Sequence, residues 1–360
     1  MSLDTKYGNI HIETLKNRYI SGEQIDGFVH LNLIRDYPVN TLDLIITGEE
    51  KVQLVTVHRS SSKNGSRKYA SYHRANREIL SYKFPLYAPQ GIFKQGQYSF
   101  PFSFKLPTNI PSSFSHQWLV EGYNAYAMIS YRMWAGMQRK KNKALFSEHI
   151  IQIDQVGALS SGEQERMHDN KLKGCCGRDF GNFIMGCVLD KDSYLIGETA
   201  NLTLFVDNTK CKTAIDRIKI KLIQKVTASL GEGRRTDVLN NAIVYLNFDG
   251  IEKGDTRMGE NDIKCALPIQ ANTTLFSTSI GSIVRNEFYI EIKPVFKKCM
   301  CCGDHPKIVI DVKLYSQQFV NTEYPPHPVD WNPQVMNPYA CTFSAETQLD
   351  LDTKKQLGII

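Results

Sequence analysis

Apolar and polar residues alternate most regularly in the stretch from Gly91 to Trp134. Tyr98, Phe100, Phe102, Phe104 and Leu106 are separated by mostly polar residues, which predicts a strand with one face on a core and one in water. Pro101 lies inside this run and has no N–H to donate, so we expect an edge strand or a bulge there. Leu106-Pro107 and Ile110-Pro111 then end the strand.

A second strand pattern follows that turn and has few polar residues on either face. Its apolar residues are Tyr123, Ala125, Ala127, Ile129, Tyr131 and Met133, interleaved with Tyr126 and Met128. Two sheets packed face to face would bury one side of such a strand and partly cover the other. This pair of strands therefore predicts a β-sandwich.

Shorter strand patterns flank this stretch, and helix signals are nearly absent from the whole chain. We expect strands at His11–Leu33, at Leu80–Leu86 and at Phe146–Ile153, and two short strands within Leu42–Val57 that are broken at Gly48-Glu49-Glu50. The sequence therefore predicts an all-β protein.

The apolar pattern disappears between His58 and Arg77, which predicts a long exposed loop. Its basic residues are Arg59, Lys63, Arg67, Lys68, Arg74 and Arg77, and no acidic residue occurs before Glu78. With Tyr69 and Tyr72 between them, these residues could bind an anionic membrane or a protein partner. The alternative is an ordinary solvated loop, as most runs of charge are.

The second half of the chain repeats the first. Lys191, Tyr194, Gly197 and Glu198 reproduce Lys16, Tyr19, Gly22 and Glu23 at one constant offset, and Leu267-Pro268 repeats Leu106-Pro107. The polar stretch between the copies reads as a linker. We therefore predict domains at residues 1–156 and 173–350, a linker at 157–172 and a short tail at 351–360.

Composition is consistent with two domains of β structure. A chain of 360 residues exceeds the size at which one core stops growing, and 17 Tyr with 17 Phe favour strands. The formal net charge of +6 permits contact with acidic surfaces without requiring nucleic acid, which we do not expect as a partner. No apolar segment follows Met1, so we expect a cytoplasmic protein with reduced thiols.

Enzyme motifs are missing from the sequence. It contains no Gly-x-Ser-x-Gly elbow, no Walker loop and no His-Glu-x-x-His, and its nine histidines are scattered singly. We therefore predict no catalytic residues and a function in binding.

The repeated motifs resemble those of the arrestin clan, and most closely those of the α-arrestins, or arrestin-domain-containing proteins. The resemblance runs from about Tyr7 to Asp350 and rests on Tyr19-x-x-Gly22-Glu23, Gly96 to Pro107, Ile110 to Phe114, Tyr194-x-x-Gly197-Glu198, Asp207-Asn208 and Cys175-Cys176. It implies two immunoglobulin-like sandwiches in a non-enzymatic cytosolic adaptor, which links membrane cargo or receptors to endocytic or endosomal trafficking machinery. It also implies that the basic loop projects near the domain junction.

One departure from that subgroup concerns ubiquitin-ligase recruitment. Its members typically carry Pro-Pro-x-Tyr, whereas Tyr324-Pro325-Pro326-His327-Pro328 has its tyrosine before the prolines. The expectation is therefore binding of cargo, other proteins or an anionic membrane by the domains, peripherally at an endosomal or plasma membrane. The alternative is a structural subunit of a large cytoskeletal or coat assembly.

Five cysteines form two groups that the resemblance brings toward the domain interface. Cys175 and Cys176 follow the linker, while Cys299, Cys301 and Cys302 precede His305 in a hairpin loop. Such a set could hold structural zinc, which takes four tetrahedral ligands. Free thiols and S-acylation of Cys175 or Cys176 are the alternatives. The remaining cysteines are predicted to pack in the cores: Cys187, Cys211, Cys265 and Cys341.

Overall fold

A computed structural model describes the chain at residues 2–3, 5–38, 41–62, 65–88, 92–120, 123–139, 143–155, 161–174, 177–270, 275–297, 306–316 and 330–336. At some strand residues, including 59–62 and 65–68, it describes the backbone alone. Strands hold 72% of the described residues and helices 3%, which confirms the all-β prediction.

Ten described strands of the first domain lie in the first half of the chain. They are β1 (Ser2–Leu3), β2 (Gly8–Thr14), β3 (Arg18–Ile20), β4 (Gln24–Leu33), β5 (Leu42–Ser62), β6 (Gly65–Tyr87), β7 (Gly96–Lys105), β8 (Phe114–Val120), β9 (Tyr123–Arg139) and β10 (Lys143–Asp154). One turn of 3₁₀ helix occupies Thr5–Tyr7.

The remaining described strands follow in the second half. They are β11 (Gln164–Lys173), β12 (Asp179–Leu189), β13 (Ser193–Leu195), β14 (Thr199–Asp207), β15 (Ile215–Ser229), β16 (Thr236–Ile251), β17 (Thr256–Arg257), β18 (Ile263–Pro268), β19 (Ser279–Ile280), β20 (Val284–Phe296), β21 (Ile308–Tyr315) and β22 (Gln334–Val335). A second 3₁₀ turn occupies Gly259–Asn261.

Each domain is a sandwich of two sheets. In the first, the order β1-β10-β9-β5-β6, with β3 beside β10 and β8 beside β9, faces β2-β4-β7-β22. In the second, the order β13-β21-β20-β15-β16, with β19 beside β20, faces β11-β12-β14-β17, with β18 beside β14. Two separate clusters of buried apolar side chains fill the sandwiches, so the tandem β-sandwich architecture is confirmed.

The repeated sequence motif forms the same turn in both domains. Lys16 Nζ bonds the Glu23 carboxylate and lies 5.1 Å from the centre of the Tyr19 ring. Lys191 Nζ lies 2.8 Å from Glu198 Oε2 and 4.9 Å from the centre of the Tyr194 ring.

The backbone of this turn is also conserved between the two copies within the chain. Gly22 N donates to Pro107 O at 3.0 Å, and Gly197 N donates to Ile269 O at 2.7 Å. Both glycines have positive φ, 86° at Gly22 and 105° at Gly197, where a β-carbon would be strained. The repeat is therefore a structural device that ties the turn to the Leu-Pro strand end.

The alternation predicted around Pro101 is present in β7. Phe100, Phe102 and Phe104 are buried, while Ser103 and Lys105 between and after them are exposed. β4 pairs with one side of the strand past Pro101, whereas β22 on the other side stops at Ser99. Pro101 thus lies where β7 has a single described neighbour, as expected for a residue without an N–H.

The predicted loop between His58 and Arg77 is wrong, because these residues continue a long antiparallel hairpin. β5 and β6 pair from Leu42↔Tyr87 to Ser62↔Gly65, and their register is unbroken from Glu49↔Glu78 to the end of the hairpin. Tyr69, Tyr72, Arg74 and Arg77 are all exposed. A hairpin whose described side chains are mostly exposed lacks the apolar alternation by which a strand is recognised in sequence.

The predicted break at Gly48-Glu49-Glu50 is also wrong. β5 is one strand with a register shift between Gly48 and Glu49, which is a β-bulge. A β-carbon on Gly48 would lie 2.6 Å from the Tyr131 ring, so glycine is needed here for close packing, not for a turn.

The predicted linker at 157–172 contains a strand, which corrects the expectation of an unstructured connection. β11 spans Gln164–Lys173 and pairs with β12 from Gln164↔Leu189 onward. β11 is an edge strand, and most of its side chains are polar and face water. Its amino-acid composition therefore resembles that of a linker. The positions of the domain boundaries stay a prediction.

Candidate partner-binding surface at the domain junction

A buried carboxylate joins the two domains. Glu50 on β5 is 2% exposed, and its Oε1 accepts a hydrogen bond from Ser282 N at 2.8 Å. Its Oε2 accepts from Ile283 N at 2.7 Å and from Val284 N at 2.9 Å. A buried carboxylate loses its hydrogen bonds to water, and here three backbone N–H donors replace them. We name this contact the Glu50 latch.

The loop that supplies these donors fits closely around the carboxylate. A β-carbon added to Gly281 would lie 2.7 Å from Glu50 Oε2 and 2.7 Å from Val284 O. Any larger residue at this position would therefore push the loop away from Glu50. Glycine here serves a close approach between the domains.

Small hydroxyl side chains form a second seam along the same loop. Ser112 Oγ donates to Thr278 O at 2.7 Å, and Ser279 Oγ donates back to Ser112 O at 2.8 Å. Ser277 Oγ donates to Asp154 Oδ1 at 2.6 Å, while Arg18 Nη1 contacts the other oxygen of Asp154 at 2.9 Å. Residues of both domains therefore donate and accept hydrogen bonds across the junction.

Tyr131 stands beside the latch inside the first domain. It is fully buried and its hydroxyl donates to Pro111 O at 2.6 Å. Burial, followed by the charge of Glu50, raises the pKa of this phenol far above its usual value. Tyr131 therefore stays a protonated donor at any physiological pH.

Apolar packing continues across the junction. The core cluster of the first domain includes Val226, Ala228, Ile283 and Val284 from the second domain. Phe276 packs edge-on against Phe114, with ring centres 5.6 Å apart. The two domains therefore share part of one core.

Arg235 of the second domain reaches the base of the β5–β6 hairpin. Its guanidinium carbon lies 4.6 Å from the centre of the Tyr123 ring, and its Nη1 donates to Thr56 Oγ1 at 3.4 Å. The same side chain pairs with Asp237 at 3.3 Å. This contact places the start of the exposed hairpin beside the second domain.

Beyond Thr56 the hairpin loses its third strand, because β9 begins at Tyr123 opposite Thr56. The two-stranded part consists of residues 57–62 and 65–70. We call this part, together with Tyr72, Arg74 and Arg77 on the adjoining part of β6, the ribbon. His58 stacks on Tyr69 at 4.8 Å, and Arg74 lies 5.5 Å from the centre of the Tyr72 ring. Arg74 Nε also donates to Gln53 Oε1 at 3.0 Å.

The ribbon combines apolar and basic residues. Val57, Tyr69 and Tyr72 are large and exposed, and Arg74 and Arg77 are exposed basic residues. The backbone register pairs Arg59 with Lys68, and both residues are described in the backbone alone. Arg67 is described in the backbone alone, and Lys63 lies outside the described residues.

The predicted zinc ligands are five cysteines. Cys175, Cys176, Cys299, Cys301 and Cys302 all lie outside the described residues, so zinc stays a prediction. Among the residues that are described, no group of three or more His, Cys, Asp or Glu side chains could hold a metal ion.

Three of the cysteines predicted to pack in the cores do so. Cys187, Cys211 and Cys265 are buried in the second core, which confirms the prediction for them, whereas Cys341 lies outside the described chain. Burial, with a smaller effect of Cys265, raises the pKa of Cys187 to about 12. Burial raises the pKa of Cys265 to about 11. Both thiols are therefore poor nucleophiles at neutral pH.

Sequence reasoning did not find the residues that join the domains. Glu50 looked like part of a turn, and Arg235 belonged to no motif. A signal for Glu50 was available in hindsight, since an acidic residue within the apolar strand Leu42–Leu54 requires a partner when it is buried.

Comparisons with known proteins agree with this architecture. Residues 8–153 match the family model described as the arrestin (or S-antigen) N-terminal domain, and residues 180–319 match the corresponding C-terminal domain. The chain is also similar to arrestin domain-containing protein A of Dictyostelium discoideum, with 23% identity over 325 residues. That alignment covers 89% of this chain and 53% of the relative, so the chain spans about half of the relative's length. In the described part of the chain, no helix has both the length and the apolar character that a membrane crossing demands.

Proposed function

The chain belongs to the arrestin family, and from that membership we propose that it is a non-enzymatic adaptor. In this role it acts in the cytoplasm, peripherally at endosomal or plasma membranes, and links membrane cargo or receptors to endocytic machinery. Its matches to both arrestin domains support an adaptor function in general. The trafficking role and the membrane contact are our inference.

The observation that carries the proposal is the ribbon beside a closed domain junction. Val57, Tyr69 and Tyr72 offer apolar and aromatic surface, and the basic residues offer positive charge over the same short hairpin. Rings and long basic side chains suit a membrane interface, where the apolar part enters and the charge stays at the headgroups. The Glu50 latch and Arg235 would hold the base of the ribbon while its tip binds.

The expected strength of this binding follows from simple electrostatics. A basic residue near an anionic membrane contributes about 1 kcal/mol, so three engaged residues contribute about 3 kcal/mol. This free energy corresponds to roughly a hundredfold change in partitioning. The effect falls as salt rises, because the Debye length shortens to about 10 Å at 0.1 M.

Vesicle flotation tests the proposal. The variant Arg67→Glu/Lys68→Glu/Arg74→Glu should lose binding to vesicles of phosphatidylcholine with phosphatidylserine at low salt, while its melting temperature stays close to that of the parent chain. A matched triple reversal in the second domain, Lys210→Glu/Lys253→Glu/Lys264→Glu, changes the net charge equally at exposed positions. It should retain binding.

Two other outcomes would reject the membrane contact. Equal binding by the parent chain and the ribbon variant would show that the ribbon does not contact lipid. Equal losses in both triple variants would assign the effect to net charge alone. Retention of the chain in an insoluble fraction at high salt would instead favour a fixed subunit of a cytoskeletal or coat assembly.

A further inference from the structure

β16 is the last strand of the larger sheet of the second domain, and one of its edges is open. β15 pairs with it from Ile215↔Ile251 to Ser229↔Thr236, and no other strand of the described chain pairs with it. Every second residue of an antiparallel strand directs its N–H and C=O groups away from its neighbour. β16 therefore presents a row of backbone donors and acceptors that can pair with another strand.

The sequence of β16 lacks the features that usually protect such an edge. Residues 238–248 include neither a charged residue nor a proline. The other long edge strands of the described chain differ from it. Charged residues recur along β6 and β11, and β7 carries Pro101. Because charge and proline are what keep strand edges from pairing, β16 is the edge best suited to accept a further strand.

A β-bulge limits where that strand can pair. The register between β15 and β16 skips Ile243, which is therefore an extra residue on β16. Beyond the bulge the pairing with β15 is regular as far as Asp249, which is the first charged residue. The regular neutral edge is therefore residues 244–248, with Leu246 at its centre.

Core-facing and exposed side chains alternate along this segment. Val244 is buried, and Leu246 and Phe248 are partly buried against the second core. Tyr245 and Asn247 are exposed on the opposite face. A strand added here, with apolar residues on the core-facing side, would cover more of Leu246 and Phe248, and burial of apolar surface favours association.

The segment is complementary to a second copy of itself. When two copies of a strand run antiparallel about a twofold axis, one residue lies opposite its own counterpart. With the axis at Leu246, the core-facing pairs are Leu246 with Leu246 and Val244 with Phe248. Tyr245 faces Asn247 on the other side of the sheet. Every pair in the segment is therefore neutral, and the core-facing pairs are apolar.

Charge and shape also permit this arrangement. Asp249 would lie opposite the bulged residue Ile243 and not opposite a second aspartate, so like charges are not paired. Thr236 begins β16 beside the first domain, and it lies roughly 33 Å from Leu246 at about 3.3 Å per residue. The first domains of the two copies are therefore far from the axis.

We propose that the chain forms a symmetric dimer in which β16 pairs antiparallel with β16 of a second copy, centred on Leu246. The pairing joins the larger sheets of two second domains into one continuous sheet. Each copy contributes a single strand, so the interface is small, and small interfaces belong to weak and reversible complexes. The dimer does not depend on the ribbon or on the proposed membrane contact.

Sedimentation equilibrium of the full chain between roughly 5 and 500 µM tests the dimer, since this range suits a weak complex. We expect the average mass to rise with concentration from that of one chain toward that of two. Leu246→Lys places a charge on the core-facing side of the pairing and should raise the dissociation constant about tenfold or more. Val309→Lys, the same change of charge at an exposed position on β21, should leave it unchanged.

Two results of this measurement would overturn the proposal. One is the mass of a single chain at every concentration. The other is an equal dissociation constant for Leu246→Lys and Val309→Lys. If Leu246→Lys does not fold, Tyr245→Lys on the exposed face takes its place. It should weaken the dimer severalfold, because the β-carbons of the two new lysines would lie about 7–8 Å apart across the axis. Undiminished dimerisation of Tyr245→Lys would equally overturn the pairing.

A photochemical cross-link tests the register of the pairing. p-Benzoylphenylalanine in place of the exposed Tyr245 should react on irradiation with the second copy near Asn247. A mixture of isotope-labelled and unlabelled chains identifies cross-links between copies by mass spectrometry. Cross-links between copies that fall only outside residues 243–249 would overturn the proposed pairing.

Discussion

The carboxylate of Glu50 in the first domain accepts a hydrogen bond of 2.9 Å from the backbone amide of Val284 in the second. Val284 also packs in the core cluster of the first domain. One residue of the second domain therefore contributes both a polar and an apolar contact to the junction. We expect the two domains to move as one body while this pair is intact.

Replacing Glu50 by Gln tests the latch. Gln has nearly the same size as Glu but carries no charge. Its NH₂ group would also face a backbone N–H donor, from which it cannot accept a hydrogen bond. Hydrogen bonds to charged groups contribute about 1.5–3 kcal/mol each, so we expect a loss of about 3 kcal/mol in the free energy of unfolding. Thermal melting measures it, with Glu260→Gln at an exposed position as the control. Equal melting temperatures for Glu50→Gln and the control would contradict the latch.

The repeated turn predicts a weaker effect that depends on pH. The hydrogen bond from Lys191 is the main reason why the pKa of Glu198 lies below its ordinary value of 4.5. A lowered pKa stabilises the fold above the unfolded-state value, and this stability is lost as pH falls through the folded-state value. Glu198→Gln should therefore cost less than about 1 kcal/mol at pH 7 and nothing in strong acid, as measured by urea unfolding. A cost that persists unchanged in acid would refute the ionic contribution.

The buried thiols predict the opposite dependence at high pH. The pKa of Cys187 is raised to about 12 and that of Cys265 to about 11, so the folded state favours the neutral thiols. Their contribution is complete below the unfolded-state pKa of about 8.5 and declines as pH rises toward the folded-state values. Between about pH 8 and about pH 10.5, the melting temperature of the double variant Cys187→Ala/Cys265→Ala should fall less than that of the parent chain. Parallel curves would contradict the prediction.

His149 predicts destabilisation in mild acid. Its Nε2 lies 3.2 Å from Thr14 Oγ1, and burial, followed by the charge of His11, lowers the pKa of His149 below 6.5. The folded state therefore favours the neutral ring, so stability is complete above pH 6.5 and falls as pH drops toward the folded-state pKa. His149→Gln should flatten this loss in urea unfolding, whereas His73→Gln on the exposed hairpin should not. An unchanged slope in His149→Gln would show that other groups cause the loss.

The cysteine groups predict bound metal. If Cys175, Cys176, Cys299, Cys301 and Cys302 supply the ligands, the purified chain should carry about one zinc ion. Cys175→Ser/Cys301→Ser should remove it and lower the melting temperature, because metal binding is linked to folding. Elemental analysis measures the zinc, and Cys211→Ser, a change at a packing cysteine, is the control for thiol loss. Metal-free parent protein in which all thiols react after unfolding would contradict the prediction.

Sequence reasoning succeeded where the residues of a single strand or turn form a pattern that identifies that strand or turn. The alternating phenylalanines Phe100, Phe102 and Phe104 predict β7. Lys16 and Glu23 mark a turn that is repeated in the second domain at Lys191 and Glu198. These patterns are local, or repeat within the chain. They were sufficient for the class of fold and for two domains.

It failed where the decisive contact comes from a distant part of the chain. Glu50 is buried because the amides of residues 282–284 surround its carboxylate, and no neighbour in sequence indicates them. The ribbon shows the reverse case, since its backbone pairing needs no apolar side chains and leaves no periodic pattern. Where β8 and β10 stop pairing with β9, on either side of Ser130, is likewise a property of three strands together.

The shared core has a consequence for how the chain is made. The first domain leaves the ribosome first, yet Val226, Ala228, Ile283 and Val284 of its apolar cluster are synthesised much later. At about 5–20 residues per second, the delay between the end of β10 and Val284 is on the order of ten seconds. During that interval the nascent first domain exposes an apolar surface that the rest of its own chain covers later. A ribosome-bound chaperone that shields this surface would therefore raise the yield of the folded protein.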